Sequence, residues 1–238
     1  MKRLIKNYVK KIINTFGWKL TKIYKNKSYT NQKPNLELLK ALSESKGILH
    51  MGAHRGLEAS VYDWLHKKTV WIEANPKIFT DLENHISTYI NQKAFNFLLY
   101  EHDNEEISFN ISNNDGASSS IYEFGDKSFK DNLRMINTIK LKTKKIDSFF
   151  VQESLEPKDY DFWIMDIQGA ELPVLKGAKK SLQNCKFIYV EVSDGNYYEK
   201  GTQWIDLKNF LKIHNFENLW EPYSEHSDVL FKKNNFKD

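Results

Sequence analysis

Three features of this sequence have residue types and spacings suited to chemistry: a glycine-bracketed turn, an acid a set distance beyond it, and further acids that follow apolar runs. The turn is Gly52-Ala53-His54-Arg55-Gly56, entered from the short apolar stretch Ile48-Leu49. Gly52 permits a tight bend, and the missing side chains at Gly52 and Gly56 leave room for a ligand to approach the backbone. The pattern is not the dinucleotide G-x-G-x-x-G, because Ala53 is followed by two bulky residues. Glu73 stands 21 residues past Gly52, at the end of the next apolar run. A carboxylate so spaced can accept hydrogen bonds from both hydroxyls of a ribose. Alone, the turn is an ordinary loop and Glu73 a solvated strand end. Their spacing argues for a nucleotide-like ligand.

The second group of acids lies in the C-terminal half. Asp166 directly follows the apolar run Phe162-Trp163-Ile164-Met165, where a carboxylate is costly unless it opens onto a site. Glu171 falls in the first turn of the helix that follows, a place where negative charge is favoured in any case. Glu191 sits late in the run "FIYVEV", with Asp194 just past it. Acids gathered at one sheet edge can orient an acceptor hydroxyl, take its proton, or hold a divalent metal. The histidines have no zinc spacing. His54 lies inside the turn, whereas His102 and His226 read as surface residues beside strands.

The elements that must position these residues alternate. Helices are expected over 36–45, 57–67, 76–87, 170–182 and 204–215. Strands are expected over 47–51, 69–74, 94–100, 106–112, 160–167, 186–192 and 227–233, with an edge strand near 138–144 and a loop over 113–126. Pro76 suits the first turn of its helix. Strand-helix alternation with continuous apolar strands predicts a mostly parallel sheet covered on both faces. In such sheets ligands sit beyond the carboxyl ends of the strands, where the winding reverses. The chemistry-bearing residues named above lie at or just past the carboxyl ends of these strands.

Charge divides the chain. Residues 1–33 carry ten Lys or Arg and no acid, and the first carboxylate is Glu37. The net charge of +4 is therefore a property of the N-terminal arm, and the remainder is mildly acidic. No basic stripe for a nucleic-acid backbone is evident on the body. The division expected is an arm and linker over 1–34 and one α/β domain over 35–238. In the arm, Leu4, Ile5, Tyr8, Val9, Ile12, Ile13 and Phe16 form a stripe at helical spacing, with lysines largely opposite. Such a helix packs on protein or lies on an anionic membrane through residues 2–20. The chain shows no membrane-spanning run and no secretory leader, and Cys185 is its one cysteine. A cytoplasmic protein, peripheral at most on the inner face of the membrane, is expected.

The run "ILHMGAHRGLEASVYDWL … VWIEANPKIF … ASSSI … KTKKIDSFF … DFWIMDIQGAELPVLKGA … FIYVEVSDGNYYEKG … LKNFLKIHNF … HSDVLF" resembles the FkbM-type methyltransferases, in its His-Met-Gly-Ala-His branch. The resemblance runs from about residue 46 to 232, and its most specific piece is "DIQGAELPVLKGA". It implies the class I, Rossmann-like fold and S-adenosylmethionine as cofactor. It implies transfer of a methyl group to an oxygen, with a sugar hydroxyl of a glycan or a small glycosylated metabolite as acceptor. By the same resemblance, Gly52, Ala53, His54 and Gly56 surround the methionine part of the cofactor and Glu73 holds the ribose. Ala74, Asn75 and Asp103 lie toward the adenine. Asp166 faces the methyl-bearing end and serves as first choice of base, with Glu191 second, and Glu171 and Glu191 flank the acceptor. His50 departs from the Asp that many members have there. A module that binds cofactor or membrane without catalysis is the rival reading, and a nicotinamide oxidoreductase is disfavoured by the glycine pattern.

Overall fold

The computed structural model describes residues 36–126, 132–193, 197–224 and 226–236. The basic arm and its helical stripe lie outside the described residues, as does Asp194. Among the described residues no helix is long and apolar enough to cross a membrane.

A seven-stranded sheet forms the centre, in the order β3-β2-β1-β7-β8-β10-β9. Its strands are β1 (Gly47–Met51), β2 (Lys68–Glu73), β3 (Gln92–Asn96), β7 (Phe162–Met165), β8 (Phe187–Ser193), β9 (Phe216–Asn218) and β10 (His226–Lys233). All pairings are parallel except those of β10, which runs antiparallel to both β8 and β9. Every residue of β1 and β7 is buried, as the continuous apolar runs require of strands covered on two faces.

Alternation along the strands sorts those residues into two cores. Leu49, Met51, Val70, Ile72, Trp163 and Met165 point to one side, where α4 (Ile146–Gln152), α5 (Glu171–Lys176) and α6 (Trp204–Ile213) contribute Phe149, Val174 and Leu207. Ile48, Trp71, Phe162 and Ile164 point to the other. That face is covered by residues of α1 (Leu36–Glu44), α2 (Ala59–Trp64) and α3 (Pro76–Ile86). Helix α3 shows why these segments are helices. Ile78, Leu82 and Ile86 recur every fourth residue on its buried side, Pro76 occupies the first turn, and the Asn75 side chain accepts from Lys77 N at 3.1 Å. Buried Trp71 has its indole N–H satisfied by Gln92 Oε1 at 2.9 Å.

Besides the unexpected short strand Phe216–Asn218 and a helix from Glu171 that ends at Lys176, two segments take a different place from the sequence reading. The run 94–100 is not one strand: the chain leaves the main sheet after Asn96, and Leu98–Leu99 (β4) enters a separate three-stranded sheet. Met135–Lys144 (β6) is the middle strand of that sheet, between β4 and β5 (Glu106–Ser112), rather than an edge. Its alternating pattern fits a strand with one face open to solvent, which an interior position in a small sheet also satisfies.

Candidate active site

The first three strands step outward from β1 to β3, and the chain then returns to β7 on the other side of β1. The winding therefore reverses between β1 and β7, where their following loops diverge. A cavity of about 260 Å³ opens there. The 52–58 turn, Glu73 and Ala74 after β2, and Asp166 to Gln168 after β7 line it, together with Phe97, Leu98 and part of the 116–121 loop.

Glu73 is the organising residue of one wall. Its Oε2 accepts from His54 N and its Oε1 from Asn75 N, each at 2.8 Å. The carboxylate thus ties the glycine turn to the start of α3, and both oxygens retain a second lone pair. Burial pushes this carboxyl up, opposed by the hydrogen bonds from Asn75 and His54. The glycines do something other than clear a path for ligand. A side chain at Gly52, whose φ is +77°, would overlap the Asp166 carbonyl oxygen, and one at Gly56 would meet Leu82. Gly52 lets the β1 turn and the end of β7 lie against each other, and Asp166 N donates to the Met51 carbonyl at 3.0 Å.

Opposite Glu73, Asp166 opens onto the cavity. Gln168, in left-handed backbone at φ 55°, donates its Nε2 to Asp166 Oδ1 and, at 2.8 Å, to Glu191 Oε2. The Tyr198 hydroxyl donates to Gln168 Oε1, which turns the amide so that its N–H groups face the acids. Desolvation, and then the neighbouring Glu191 charge, raise the Asp166 carboxyl well above the ordinary range. The other Glu191 oxygen, Oε1, is 2.8 Å from His226 Nε2.

Glu171 is buried, accepts from Gly169 N at 3.0 Å, and is raised by desolvation to about 7. It lines a small recess shared with Glu191, Ser193 and Tyr198, next to the main cavity. Because the folded chain keeps a proton that the unfolded chain releases above about 4.5, stability falls as pH rises toward 7. We expect Glu171 to account for about 3 kcal/mol of that fall. Glu171→Gln should flatten the dependence of the unfolding midpoint on pH between 5 and 8, measured by denaturant titration.

The remaining expected residues divide. Gly52, Ala53, His54, Gly56, Glu73, Ala74 and Asp166 all line the one cavity. Asn75 lies behind the wall, where it caps α3 and donates to Glu73. Asp103 does not line the cavity. Its carboxylate accepts from Lys145 N at 2.8 Å and Ser148 Oγ at 2.5 Å, so it caps the start of α4 rather than reaching a ligand. The polar loop after β5 walls the cavity through Gly116, Ala117 and Ser119. Arg55 fastens that loop by pairing with Asp115 while its Nε bonds Asp81 at 2.9 Å. His50, stacked on Trp71 at 4.8 Å, is driven by burial to about 3 and is neutral. Among the described residues no three His, Cys, Asp or Glu side chains converge as a metal cage.

Sequence reasoning missed Gln168, Tyr198 and the role of His226. Gln168 was within reach, since it lies in the same turn as Asp166.

Residues 50–218 match the methyltransferase FkbM domain. The chain belongs to the FkbM methyltransferase family. Among curated proteins, the 2-O-methyltransferase NoeI of Sinorhizobium fredii (strain NBRC 101917 / NGR234) is 29% identical over 161 residues, 64% of this chain and 65% of that protein. The match thus spans just under two thirds of that relative's length. Solved structures of similar form include magnesium protoporphyrin IX methyltransferase of Synechocystis PCC 6803, at 5% identity and a TM-score of 0.46, over 84% of this chain and 78% of that one. A TehB-like S-adenosylmethionine-dependent methyltransferase of Corynebacterium glutamicum aligns at 10% identity and a TM-score of 0.44, over 98% of this chain and all 100% of the other. These structural likenesses are too distant to carry a functional argument. The family and the sheet order, with β10 antiparallel beside β8, give the class I methyltransferase fold.

Proposed function

We propose that the chain moves a methyl group from S-adenosylmethionine to a hydroxyl oxygen of a sugar-bearing acceptor. The observation that carries this reading is the placing of Glu73 and Asp166 on one cavity, after neighbouring arms of the switch point. The residues fit the cofactor. Glu73 offers two carboxylate lone pairs to a vicinal diol, Phe97 and Leu98 offer an apolar slot for a base, and Asp166 offers negative charge to a sulfonium. When bound, S-adenosylmethionine supplies a methyl carbon on positive sulfur, which accepts an oxygen lone pair as the carbon–sulfur electrons stay with sulfur.

The protein's contribution is alignment and proton removal. Glu73 and the 52–56 turn hold one end of the ligand, which fixes the reacting carbon along one line. Asp166 takes the acceptor hydroxyl proton as the new carbon–oxygen bond forms, and desolvation and the neighbouring Glu191 charge raise its affinity for that proton. Glu171, Glu191 and Ser193 border a small recess next to the cavity, which marks the acceptor side. The printed activity of the curated relative, 2-O-methylation, supports oxygen as the atom methylated.

Calorimetric titration of the purified full chain with S-adenosylmethionine, and in parallel with NADH, tests the reading. Binding of the sulfonium compound alone is expected. Binding of NADH alone, or of neither, would sink it.

A further inference from the structure

Beside the cavity stands a titratable side chain that the mechanism above does not use. His226 opens β10 directly across from Ser193 of β8. Its Nε2 lies 2.8 Å from Glu191 Oε1 and its Nδ1 2.9 Å from Ser193 Oγ, with the Tyr197 ring stacked on it at 4.9 Å. About 38% of its side chain is accessible, so its proton exchanges with solvent while Glu191, at 18%, is largely covered. The far oxygen of Glu191 shares the Gln168 amide with Asp166. The order from solvent to cavity is therefore imidazole, carboxylate, amide, carboxylate.

We propose that His226 is a positioning residue for the methyl-transfer reaction: as an imidazolium paired with Glu191, it neutralises that carboxylate and so frees Asp166 to act as an anion. The argument is one of charge. Two carboxylates bridged by one neutral amide repel each other, so that without a countercharge one of them keeps its proton to higher pH. The amide of Gln168 donates hydrogen bonds but carries no charge. Glu171 from α5 and Asp228 from β10 are carboxyls raised above their ordinary range by burial and supply no positive charge, and Tyr189 and Tyr198 are neutral because burial holds their phenols protonated. Among the described residues, His226 is the cation facing the group. Glu191 in turn raises the imidazole above its ordinary range, with desolvation opposing.

This inference rests on the methyltransferase reading, and its test uses two readouts that fail separately. The first needs no cofactor: imidazole resonances of His226 are followed against pH by NMR in the intact protein and in Glu191→Gln. A titration midpoint above the ordinary histidine range, returning toward it in Glu191→Gln, is expected. An unmoved midpoint would overturn the pairing. The second compares S-adenosylmethionine with S-adenosylhomocysteine, which lacks the positive charge, by calorimetry from pH 5 to 9. Preference for the sulfonium should grow as the Asp166–Glu191 pair ionises. In His226→Gln that rise should move up by about one pH unit, so that preference near neutral pH falls about tenfold. In Glu191→Gln the added change His226→Gln should have no further effect. A loss of affinity equal for both ligands and at all pH values would mark His226 as merely structural and overturn the proposal. If neither compound binds the unaltered chain, the methyltransferase reading falls and takes this inference with it, even where the imidazole titrates as expected.

Discussion

Asp166→Asn is expected to lower kcat by about 10²–10⁴-fold, the usual contribution of a positioned base. Asn is nearly the same size and keeps the oxygen that accepts from Gln168 Nε2, so the turn after β7 has no reason to move. What disappears is the capacity to hold a proton. The two ligands separate this from damage to the cavity. S-adenosylhomocysteine affinity should be unchanged, and S-adenosylmethionine should weaken by no more than about tenfold, the value of one exposed or partly screened charge. Single-turnover methyl transfer with a panel of methyl glycosides supplies the rate. Equal loss for both ligands would place Asp166 in the wall rather than in the chemistry. If rate is retained, the base lies elsewhere, and Glu191 becomes the first candidate.

The fold was open to reading because its central strands carry a redundant signal. Residues 162–165 and 187–192 are apolar runs flanked by turns, and a strand covered on both faces has no other pattern available. The sheet change between Asn96 and Leu98 has no such signal. Phe95, Phe97, Leu98 and Leu99 form one apolar run whether or not the backbone switches sheets, and only the competition between β2 and β6 for partners decides it. Asp103 shows the same limit for a single residue. Its position after a strand is equally consistent with a ligand and with a helix start, and the nearby N–H of Lys145 settles the matter through a contact 42 residues away in sequence.

The site was open to reading where spacing is local. Glu73 follows from its distance to Gly52, and Asp166 from its place after β7. His226 could not be found that way, because it meets Glu191 only through the antiparallel register that sets Asp228 opposite Glu191 and His226 opposite Ser193. The glycine turn gives the opposite lesson. Its residues line the cavity, but the reason for Gly52 is a neighbouring strand end and not a ligand. Local sequence reported where the backbone bends, while tertiary packing decided what fills the space beside it.

Glu73→Gln is expected to cost cofactor affinity without preference between charged and neutral forms. The carboxylate faces the cavity with both oxygens already engaged by His54 N and Asn75 N, so its second lone pairs are what a diol would meet. Each hydrogen bond to a charged group is worth about 1.5–3 kcal/mol, and two of them correspond to about 10²–10⁴-fold in Kd. Gln supplies one acceptor and sets an amide N–H₂ against one of the two backbone donors, which also loosens the turn. Some loss of stability, about 1–3 kcal/mol for a buried donor left unpaired, should therefore accompany the loss of binding. The diol is common to S-adenosylmethionine and S-adenosylhomocysteine, so both should weaken by the same factor in calorimetry, unlike the selective effect at Asp166. Acid should act on the unaltered chain in the same sense. Burial lifts the Glu73 carboxyl above its ordinary range, and as pH falls through that raised value the carboxylate gains a proton and loses acceptor capacity. Affinity for both ligands should decline together there, and Glu73→Gln should abolish the decline. A decline confined to the sulfonium would assign it to Asp166, and would leave the diol without its partner at Glu73.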